Sequence, residues 1–344
     1  DTDTEVIVQL IEYIQTKKNV DLLTAVRLAL HQLIGAYAIA LLDKREKNQI
    51  IAARKQSPLV IGIGDNEFFL GSDATPIIEY TDKVVYLDDD NVAVMRLGEE
   101  LKVVNNMNHE MSPEVRTLDM NLGQIEKGGY PHFMLKEILE QPEAIRKTVS
   151  PRIRDGRVVL DTFSLTAEQV RDISRIFIIA CGSSYHVGMV SKYNWERLLR
   201  RPVQVDLASE FRYSDPLVDE KSLVIVISQS GETLDTMAAM REAKRRGART
   251  LAVVNVVGSS IAREADDVLY TWAGPEIAVA TTKAYSAQLA AMYCLAVEFG
   301  RVRGTMDAEK YTYYLNELET IPGKIERVLE DKERIQWFAA KYSG

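Results

Sequence analysis

The chain has 344 residues, of which 46% are hydrophobic and 27% are charged, and its formal net charge is −8. These values are typical of a globular protein with two or three domains, and they argue against nucleic acid as the main partner because nucleic-acid binding depends on a basic surface. The two cysteines, Cys181 and Cys294, cannot form a disulfide framework or a four-ligand zinc site, and no apolar run approaches the roughly 18 residues of a membrane span. We therefore expect a cytoplasmic protein without a signal peptide, a metal, a cofactor or a membrane partner.

The first part of the chain, residues 1–115, has the pattern of an α+β unit in which two helices are followed by antiparallel strands. Asp3 or Thr4 is expected to cap the first helix. The period then changes to that of strands, and residues 37–42 and 49–53 flank a charged turn that predicts a hairpin. Five further short strands are predicted before the pattern ends.

A polar and irregular stretch, residues 116–132, is expected to be a linker. The chain beyond it, residues 133–305, alternates strands and helices, which predicts an α/β domain with a doubly wound parallel sheet. Its last long helix, residues 283–299, is apolar on nearly all sides and is therefore expected to be buried. The tail, residues 306–344, is expected to be helical with a break at Pro322-Gly323.

Two strand-to-helix junctions of the α/β domain are crowded with hydroxyl side chains and glycines. They have the sequences Cys181-Gly182-Ser183-Ser184 and Ser228-Gln229-Ser230-Gly231-Glu232-Thr233. A helix N-terminus offers free N–H groups and the positive end of the helix dipole, and small residues let the backbone close on an anion. Because the loops after parallel strands lie along one sheet edge, these two junctions predict a phosphate-binding site without a Walker lysine.

Each junction also has a simpler structural interpretation. Ser230 could be an N-cap with Thr233 near the third helical position, and Gly182 could form a turn with a following serine as the helix cap. Cys181 is more consistent with a small buried thiol than with a nucleophile, since the sole nearby base is His186, which we expect on the helix surface.

A third junction, Glu276 to Lys283, precedes the buried helix. Thr281 or Thr282 could cap that helix, or the segment could be a loop that contacts the polyol end of a ligand. Lys283 could neutralise a phosphate or pair with Glu276. Spacing alone does not decide between these alternatives.

Several strings, taken in order, resemble the glutamine:fructose-6-phosphate amidotransferase (isomerising) family, also known as glucosamine-6-phosphate synthases. In the α/β domain these are the two junctions above, Ala208-Ser209-Glu210-Phe211, Val257-Gly258-Ser259-Ser260 and the segment from Ala273 to Ala284. They resemble the family's first sugar-isomerase (SIS) domain, whereas Asp3-Thr4-Glu5-Val6-Ile7 and Ser57-Pro58-Leu59 resemble the second half of its glutaminase domain, which is of the N-terminal-nucleophile (Ntn) type. The resemblance covers essentially the whole chain.

This resemblance implies glutamine-dependent conversion of fructose 6-phosphate to glucosamine 6-phosphate by a homodimer. It implies that residues 1–115 belong to a glutaminase domain, 133–305 to a first SIS domain and 306–344 to a helical connection. The residues that match the family's phosphate binders are Ser184, Ser228, Gln229, Ser230 and Thr233. Ser183, Val279 and Thr281 match residues that contact the sugar, and Asp3 matches the carboxylate that holds the amino group of glutamine.

The departures from the family pattern concern the two ends. Residue 1 is Asp rather than the family's nucleophilic cysteine, and the acid, base and imine-forming lysine of the family's second SIS domain have no match. We therefore expect a central fragment with no catalytic residue of its own, which is inactive when isolated. A rival hypothesis is a sugar-phosphate-binding regulatory protein built on the same SIS domain, although such regulators usually carry a DNA-binding or kinase-binding module.

Overall fold

The computed structural model describes residues 2–74, 76–118 and 127–343. The chain divides into two compact units, residues 1–122 and residues 123–344. Each unit has its own hydrophobic core. Within the described residues, no helix combines the length and the apolar character that crossing a bilayer requires.

The first unit consists of two helices and two antiparallel sheets. Its elements are α1 (Asp3–Lys18), α2 (Leu22–Leu30), β1 (Tyr37–Leu42), β2 (Gln49–Lys55), β3 (Val60–Ile63), β4 (Phe68–Gly71), β5 (Lys83–Tyr86), β6 (Asn91–Arg96), β7 (Lys102–Asn105), β8 (Glu110–Met111) and β9 (Arg116–Thr117). The strand orders are β1-β2-β6-β7-β8 in one sheet and β4-β3-β5-β9 in the other. Apolar residues of α1 and α2 cover one face of the first sheet, and the other face packs on the second sheet. The predicted α+β pattern, including the β1–β2 hairpin, is confirmed.

Two details of the first unit differ from the sequence predictions. Helix α1 is capped by Thr2, whose hydroxyl accepts a hydrogen bond from Glu5 N at 3.2 Å, and not by Asp3 or Thr4. Strand β9 lies in the predicted linker, and β8 lies just before it. Strands of two residues are too short to show an alternation of apolar and polar residues. Only the pairing of β8 with β7 and of β9 with β5 identifies them. Residues 119–126 of the predicted linker lie outside the described residues.

The second unit begins with α3 (Phe133–Val149), a 3₁₀ turn (Ser150–Arg152) and a short hairpin of β10 (Ile153–Arg154) and β11 (Arg157–Val158). The remaining strands and their crossovers are α4 (Ala167–Asp172), β12 (Arg175–Ala180), α5 (Gly182–Leu199), β13 (Val203–Leu207), α6 (Ala208–Phe211), β14 (Ser222–Ser228), α7 (Leu234–Arg245), β15 (Arg249–Val254), α8 (Ser260–Glu264) and β16 (Asp267–Tyr270). Three helices end the unit, namely α9 (Lys283–Arg303), α10 (Ala308–Leu329) and α11 (Lys332–Tyr342).

Strands β12 to β16 form one parallel sheet in the order β13-β12-β14-β15-β16. Alternate residues of each strand point to opposite faces. On β12, Ile176 and Ile178 pack in a cluster with α5 and α9, whereas Phe177 and Ile179 pack in a cluster with α6 and α7. Helices therefore cover both faces, and the predicted doubly wound α/β sheet is confirmed.

Helix α9 is buried as predicted, with 14 of its residues inaccessible or nearly so. The elements that cover it are α3, α4, α5 and α10, all of the same unit. Its apolar character is thus explained within one chain and does not require a second copy. The burial of this helix therefore says nothing for or against a homodimer, which stays a prediction.

The predicted break at Pro322-Gly323 is also wrong, because α10 continues through both residues. A proline inside a helix removes one backbone hydrogen bond, which destabilises an isolated helix. Here Leu315, Leu318 and Pro322 are buried on one face of α10. Burial of that face offsets the missing bond.

Candidate functional site

The point where the strand order reverses lies between β12 and β14, which are direct neighbours in the sheet. From β12 the chain crosses outward to β13, and from β14 it crosses in the other direction to β15. The loops after β12 and β14 therefore diverge and leave a crevice at the carboxyl ends of the strands, which is where open α/β sheets bind ligands.

A cavity of about 260 Å³ lies at this crevice, and it is lined by residues of three segments, 181–184, 227–233 and 276–281. All eight residues predicted to bind the sugar phosphate line it, namely Ser183, Ser184, Ser228, Gln229, Ser230, Thr233, Val279 and Thr281. The structure thus brings the three predicted junctions together around one cavity, although the first and last of the eight residues, Ser183 and Thr281, are 98 positions apart in the sequence. Their role in binding stays a prediction.

Internal hydrogen bonds fold the loop after β14, which we call the anion loop (residues 228–233). Ser228 Oγ accepts a hydrogen bond from Gly231 N at 3.0 Å and lies 3.1 Å from Thr233 Oγ1. Ser230 Oγ accepts one from Glu232 N at 3.2 Å. Each serine oxygen is therefore fixed by a backbone donor, while its own hydroxyl proton can turn toward the cavity.

The capping interpretation of the anion loop is wrong. The N-cap of α7 is Thr233, and no side chain makes a capping hydrogen bond at this helix start. Ser230 closes a local turn instead of capping the helix. The hydroxyl groups of the anion loop therefore make no capping hydrogen bonds to helix α7.

Helix α5 also starts without a side-chain cap. Its N-cap is Cys181, whose side chain makes no capping hydrogen bond, so the prediction of a serine cap is wrong. Ser184 in the first turn donates its hydroxyl to Gln288 Oε1 at 3.1 Å. Gln288 is 2% exposed and lies on the largely buried helix α9, so it orients a residue of the cavity. Gln288 was not among the residues predicted from the sequence, although a single amide on a largely buried helix is a signal for such a role.

The third junction is organised around a carboxylate. Glu276 accepts hydrogen bonds from Thr281 Oγ1 at 2.5 Å, from Thr282 N at 2.8 Å and from Ala284 N at 3.1 Å. The N-cap of α9 is Thr282, one of the two threonines predicted, but no threonine hydroxyl makes a capping hydrogen bond. The carboxylate of Glu276 accepts the backbone hydrogen bonds of this helix start instead. Val279 extends fully into solvent at the rim of the cavity.

Lys283 neither faces a phosphate nor pairs with Glu276. Its ammonium group lies 2.6 Å from Glu140 Oε2 on helix α3, and the whole Lys283 residue is 4% exposed. Both sequence interpretations of Lys283 are therefore wrong, because the partner is 143 positions away in the sequence and no local pattern predicts it.

The charge distribution favours an anion at two of the three helix starts. Of the twelve residues that line the cavity, only Glu276 carries a charge. Helices α5 and α7 direct their uncapped N-termini, and so the positive ends of their dipoles, toward the cavity. At α9 the carboxylate of Glu276 already occupies the equivalent position. Across the described ranges, no three His, Cys, Asp or Glu side chains are grouped as metal ligands would be.

The two cysteines have different environments. Cys294 is fully buried, and burial raises the pKa of its thiol to about 12. Cys181 is only partly buried, lines the cavity and accepts a hydrogen bond from Thr236 Oγ1 at 3.7 Å. The expectation that Cys181 is a buried thiol is therefore wrong. His186 is exposed on α5, as predicted.

Asp3, the predicted glutamine-binding residue, lies in the first turn of α1 in the first unit. It is exposed, and its Oδ1 accepts a hydrogen bond from Thr4 N at 2.7 Å. Its part in binding glutamine stays a prediction.

Comparison with known proteins places these observations in a family context. A family model described as the SIS domain matches residues 169–298. The chain is 53% identical over 336 residues to a glutamine–fructose-6-phosphate aminotransferase (isomerizing) from Bacteroides thetaiotaomicron, covering 97% of the chain and 55% of the relative. It is 47% identical over 343 residues to the protein of the same name from Caldanaerobacter subterraneus, covering 99% of the chain and 56% of the relative.

Among solved structures, the chain is similar to the C-terminal domain of glucosamine-fructose-6-phosphate aminotransferase from Francisella tularensis. The TM-score is 0.60 and the sequence identity is 37%, and the match covers 62% of this chain and 60% of that chain. The chain spans about half the length of the curated relatives it matches.

Proposed function

The chain belongs to the glutamine–fructose-6-phosphate aminotransferase (isomerizing) family, and from this premise we propose that it serves the conversion of fructose 6-phosphate to glucosamine 6-phosphate with glutamine as the nitrogen donor. In this proposal the second unit binds the sugar phosphate. The observation that carries the proposal is the pair of uncapped helix starts, each rich in hydroxyl groups, that border one cavity at the reversal of the strand order.

The phosphate group would lie between the N-termini of α5 and α7. Ser230 would donate its hydroxyl proton to the phosphate, since its oxygen is already held by Glu232 N. Ser228 and Thr233 lie within hydrogen-bond distance of each other, so one of the two protons is free for the anion. Ser184 would turn its hydroxyl from Gln288 toward the phosphate.

The sugar would extend toward the third segment, where Glu276 holds the hydroxyl proton of Thr281. Thr281 therefore presents an oxygen that accepts, which suits the hydroxyl donors of a sugar better than a second anion. Val279 would cover the sugar from the rim, and Ser183 would contact it from the first turn of α5.

The first unit would contribute to glutamine hydrolysis. Its α+β architecture and the position of Asp3 at the start of α1 support, for residues 1–115, a part of an Ntn-type glutaminase domain. An exposed carboxylate at that place can bind the ammonium group of an amino acid. We further propose residues 116–132 as a linker, 133–305 as a first SIS domain and 306–344 as a helical connection, within a protein that acts as a homodimer.

A regulatory sugar-phosphate-binding protein was the rival hypothesis. The relatives that match over nearly the whole chain are named as aminotransferases, which favours the enzyme.

The proposal is tested by calorimetric titration of this chain with fructose 6-phosphate and, separately, with fructose. We expect measurable binding of the phosphorylated sugar and at least a tenfold weaker interaction with fructose, since the phosphate would make the charge-assisted hydrogen bonds. Equal affinity for the two sugars, or no binding of either, would contradict the proposal.

A further inference from the structure

The third cavity segment and the residue after it, together residues 276–282, contain neither a helix nor a strand. Their backbone must therefore be fixed by side chains. Helix α3 supplies them from one face, through Glu137, Glu140 and Gln141, which are spaced i, i+3 and i+4 along the helix.

Glu137 makes the central contact. Its Oε1 accepts hydrogen bonds from Ile277 N at 2.7 Å and from Ala278 N at 3.0 Å. The side chain is 2% exposed, and no described group donates a hydrogen bond to its buried Oε2. Burying a carboxylate with one oxygen unsatisfied is costly, so this contact is not explained by packing alone.

The two neighbours on α3 hold the segment at its far end. Glu140 pairs with Lys283 at 2.6 Å, and Gln141 Oε1 accepts a hydrogen bond from Ser286 Oγ at 2.5 Å. Both partners lie in the first turns of α9. Glu137 is thus the α3 residue whose hydrogen bonds reach the irregular backbone next to Val279.

We propose that Glu137 is a positioning residue that sets the 276–282 segment so that Val279 and Thr281 can contact the sugar part of a bound sugar phosphate. This inference rests on the proposed function, and it assigns Glu137 to recognition of the sugar and not of the phosphate. The anion loop has its own internal hydrogen bonds, so loss of Glu137 leaves the phosphate subsite intact. The expected sign of this role is therefore that loss of Glu137 lowers the affinity for fructose 6-phosphate more than the affinity for inorganic phosphate.

The test compares the unmodified chain with Glu137→Ala, Glu137→Gln and, as a matched control on the exposed side of α3, Glu143→Ala. Fructose 6-phosphate and inorganic phosphate are titrated separately, with binding followed by amide NMR signals of Gly231 and Val279. We expect Glu137→Ala to weaken fructose 6-phosphate binding about tenfold and to change phosphate binding less than about twofold. Glu137→Gln keeps an acceptor oxygen and should stay within about threefold for both ligands, as should the control.

Hydrogen exchange at Ile277 and Ala278 gives a second readout, because Glu137→Ala should accelerate it whereas Glu143→Ala should not. If Glu137→Ala does not fold, Glu137→Asp replaces it, since the shorter carboxylate retracts the acceptor and should give the same ligand selectivity. Unmodified chain that binds neither ligand would overturn the proposed function and this inference together. Unmodified chain that binds both, with a Glu137→Ala loss that is absent or equal for the two ligands, would overturn the inference alone.

Discussion

Gly231 and Ser259 approach each other so closely that a β-carbon on Gly231 would overlap the Ser259 hydroxyl oxygen and lie 2.6 Å from the Ser259 Cβ. Gly231 has a φ of +67°, in the left-handed region that disfavours L side chains. Ser259 is fully buried and cannot move aside, and the Gly231 carbonyl accepts a hydrogen bond from Ile261 N at 3.0 Å. The anion loop is thus held against the start of α8 at a position where only glycine fits.

We predict that Gly231→Ala both destabilises the second unit and weakens sugar-phosphate binding. The overlap and the backbone strain together should cost about 3 kcal/mol of the free energy of unfolding. All three tryptophans lie in the second unit, so urea unfolding followed by tryptophan fluorescence reports on it. Gly247→Ala is the control, because Gly247 also has a positive φ but the nearest atom to its added Cβ is 3.9 Å away. It should cost about 1 kcal/mol and leave binding unchanged; equal effects of the two variants would contradict the steric argument.

We predict that Ser230→Ala weakens binding of fructose 6-phosphate by about 1–3 kcal/mol, the scale of a hydrogen bond to a charged group. Calorimetry measures this change directly. Ser174→Ala is a suitable control, since Ser174 precedes β12 and lies at the opposite edge of the same sheet, where its hydroxyl donates to Lys221 O. An affinity unchanged by Ser230→Ala would remove this residue from the phosphate site.

The strands and the three junctions of the site could be predicted from the sequence because their signals are local. Runs of β-branched residues identify β12 and β14, and the hydroxyl-rich junctions follow each strand at once. Chain topology then requires these junctions to share one sheet edge.

Contacts between residues far apart in the sequence could not be predicted in this way. The partners of Lys283 and of the Ile277 amide lie on α3, about 140 positions earlier, and no periodicity links them. The continuity of α10 through Pro322 has the same cause, since it depends on which face tertiary packing buries. The N-cap residues of α1 and α7 were predicted wrongly because several adjacent residues with cap-forming side chains occur at each helix start. The backbone geometry places Thr2 and Thr233 at the N-cap positions.

The Lys283–Glu140 pair gives a stability prediction. The Lys283 side chain is 5% exposed and that of Glu140 is 35% exposed, so Glu140→Ala leaves a nearly buried ammonium group without its partner. We expect a loss of about 2 kcal/mol in the free energy of unfolding, which is below the 3–5 kcal/mol typical of fully buried pairs because water reaches Glu140. Lys283→Met removes the charge and keeps the apolar stem, so it should cost less, and adding it to Glu140→Ala should recover part of the loss. A double variant less stable than Glu140→Ala would contradict this account.

The cysteines allow a prediction of thiol reactivity and of its response to ligand. The thiolate is the reactive form, and burial raises the pKa of Cys294 to about 12, so at pH 8 this thiol stays protonated as well as inaccessible. Cys181 is partly exposed in the cavity. We therefore expect a disulfide reagent such as dithionitrobenzoate to modify one thiol per folded chain at pH 8 and two in 6 M guanidinium, counted by absorbance.

Two further readouts assign the reactive thiol and relate it to the site. Cys181→Ser should abolish the reaction of the folded chain, and fructose 6-phosphate should slow it in the unmodified chain by occupying the space beside Ser183 and Ser184. The raised pKa of Cys294 also sets a pH dependence: the folded chain keeps this proton above pH 9, where the unfolded thiol loses it, so its contribution to stability falls as pH rises from about 9 toward 12. A folded chain in which both thiols react at pH 8 would contradict the burial of Cys294. A Cys181 reaction rate that saturating fructose 6-phosphate leaves unchanged would contradict the placement of Cys181 beside the bound ligand.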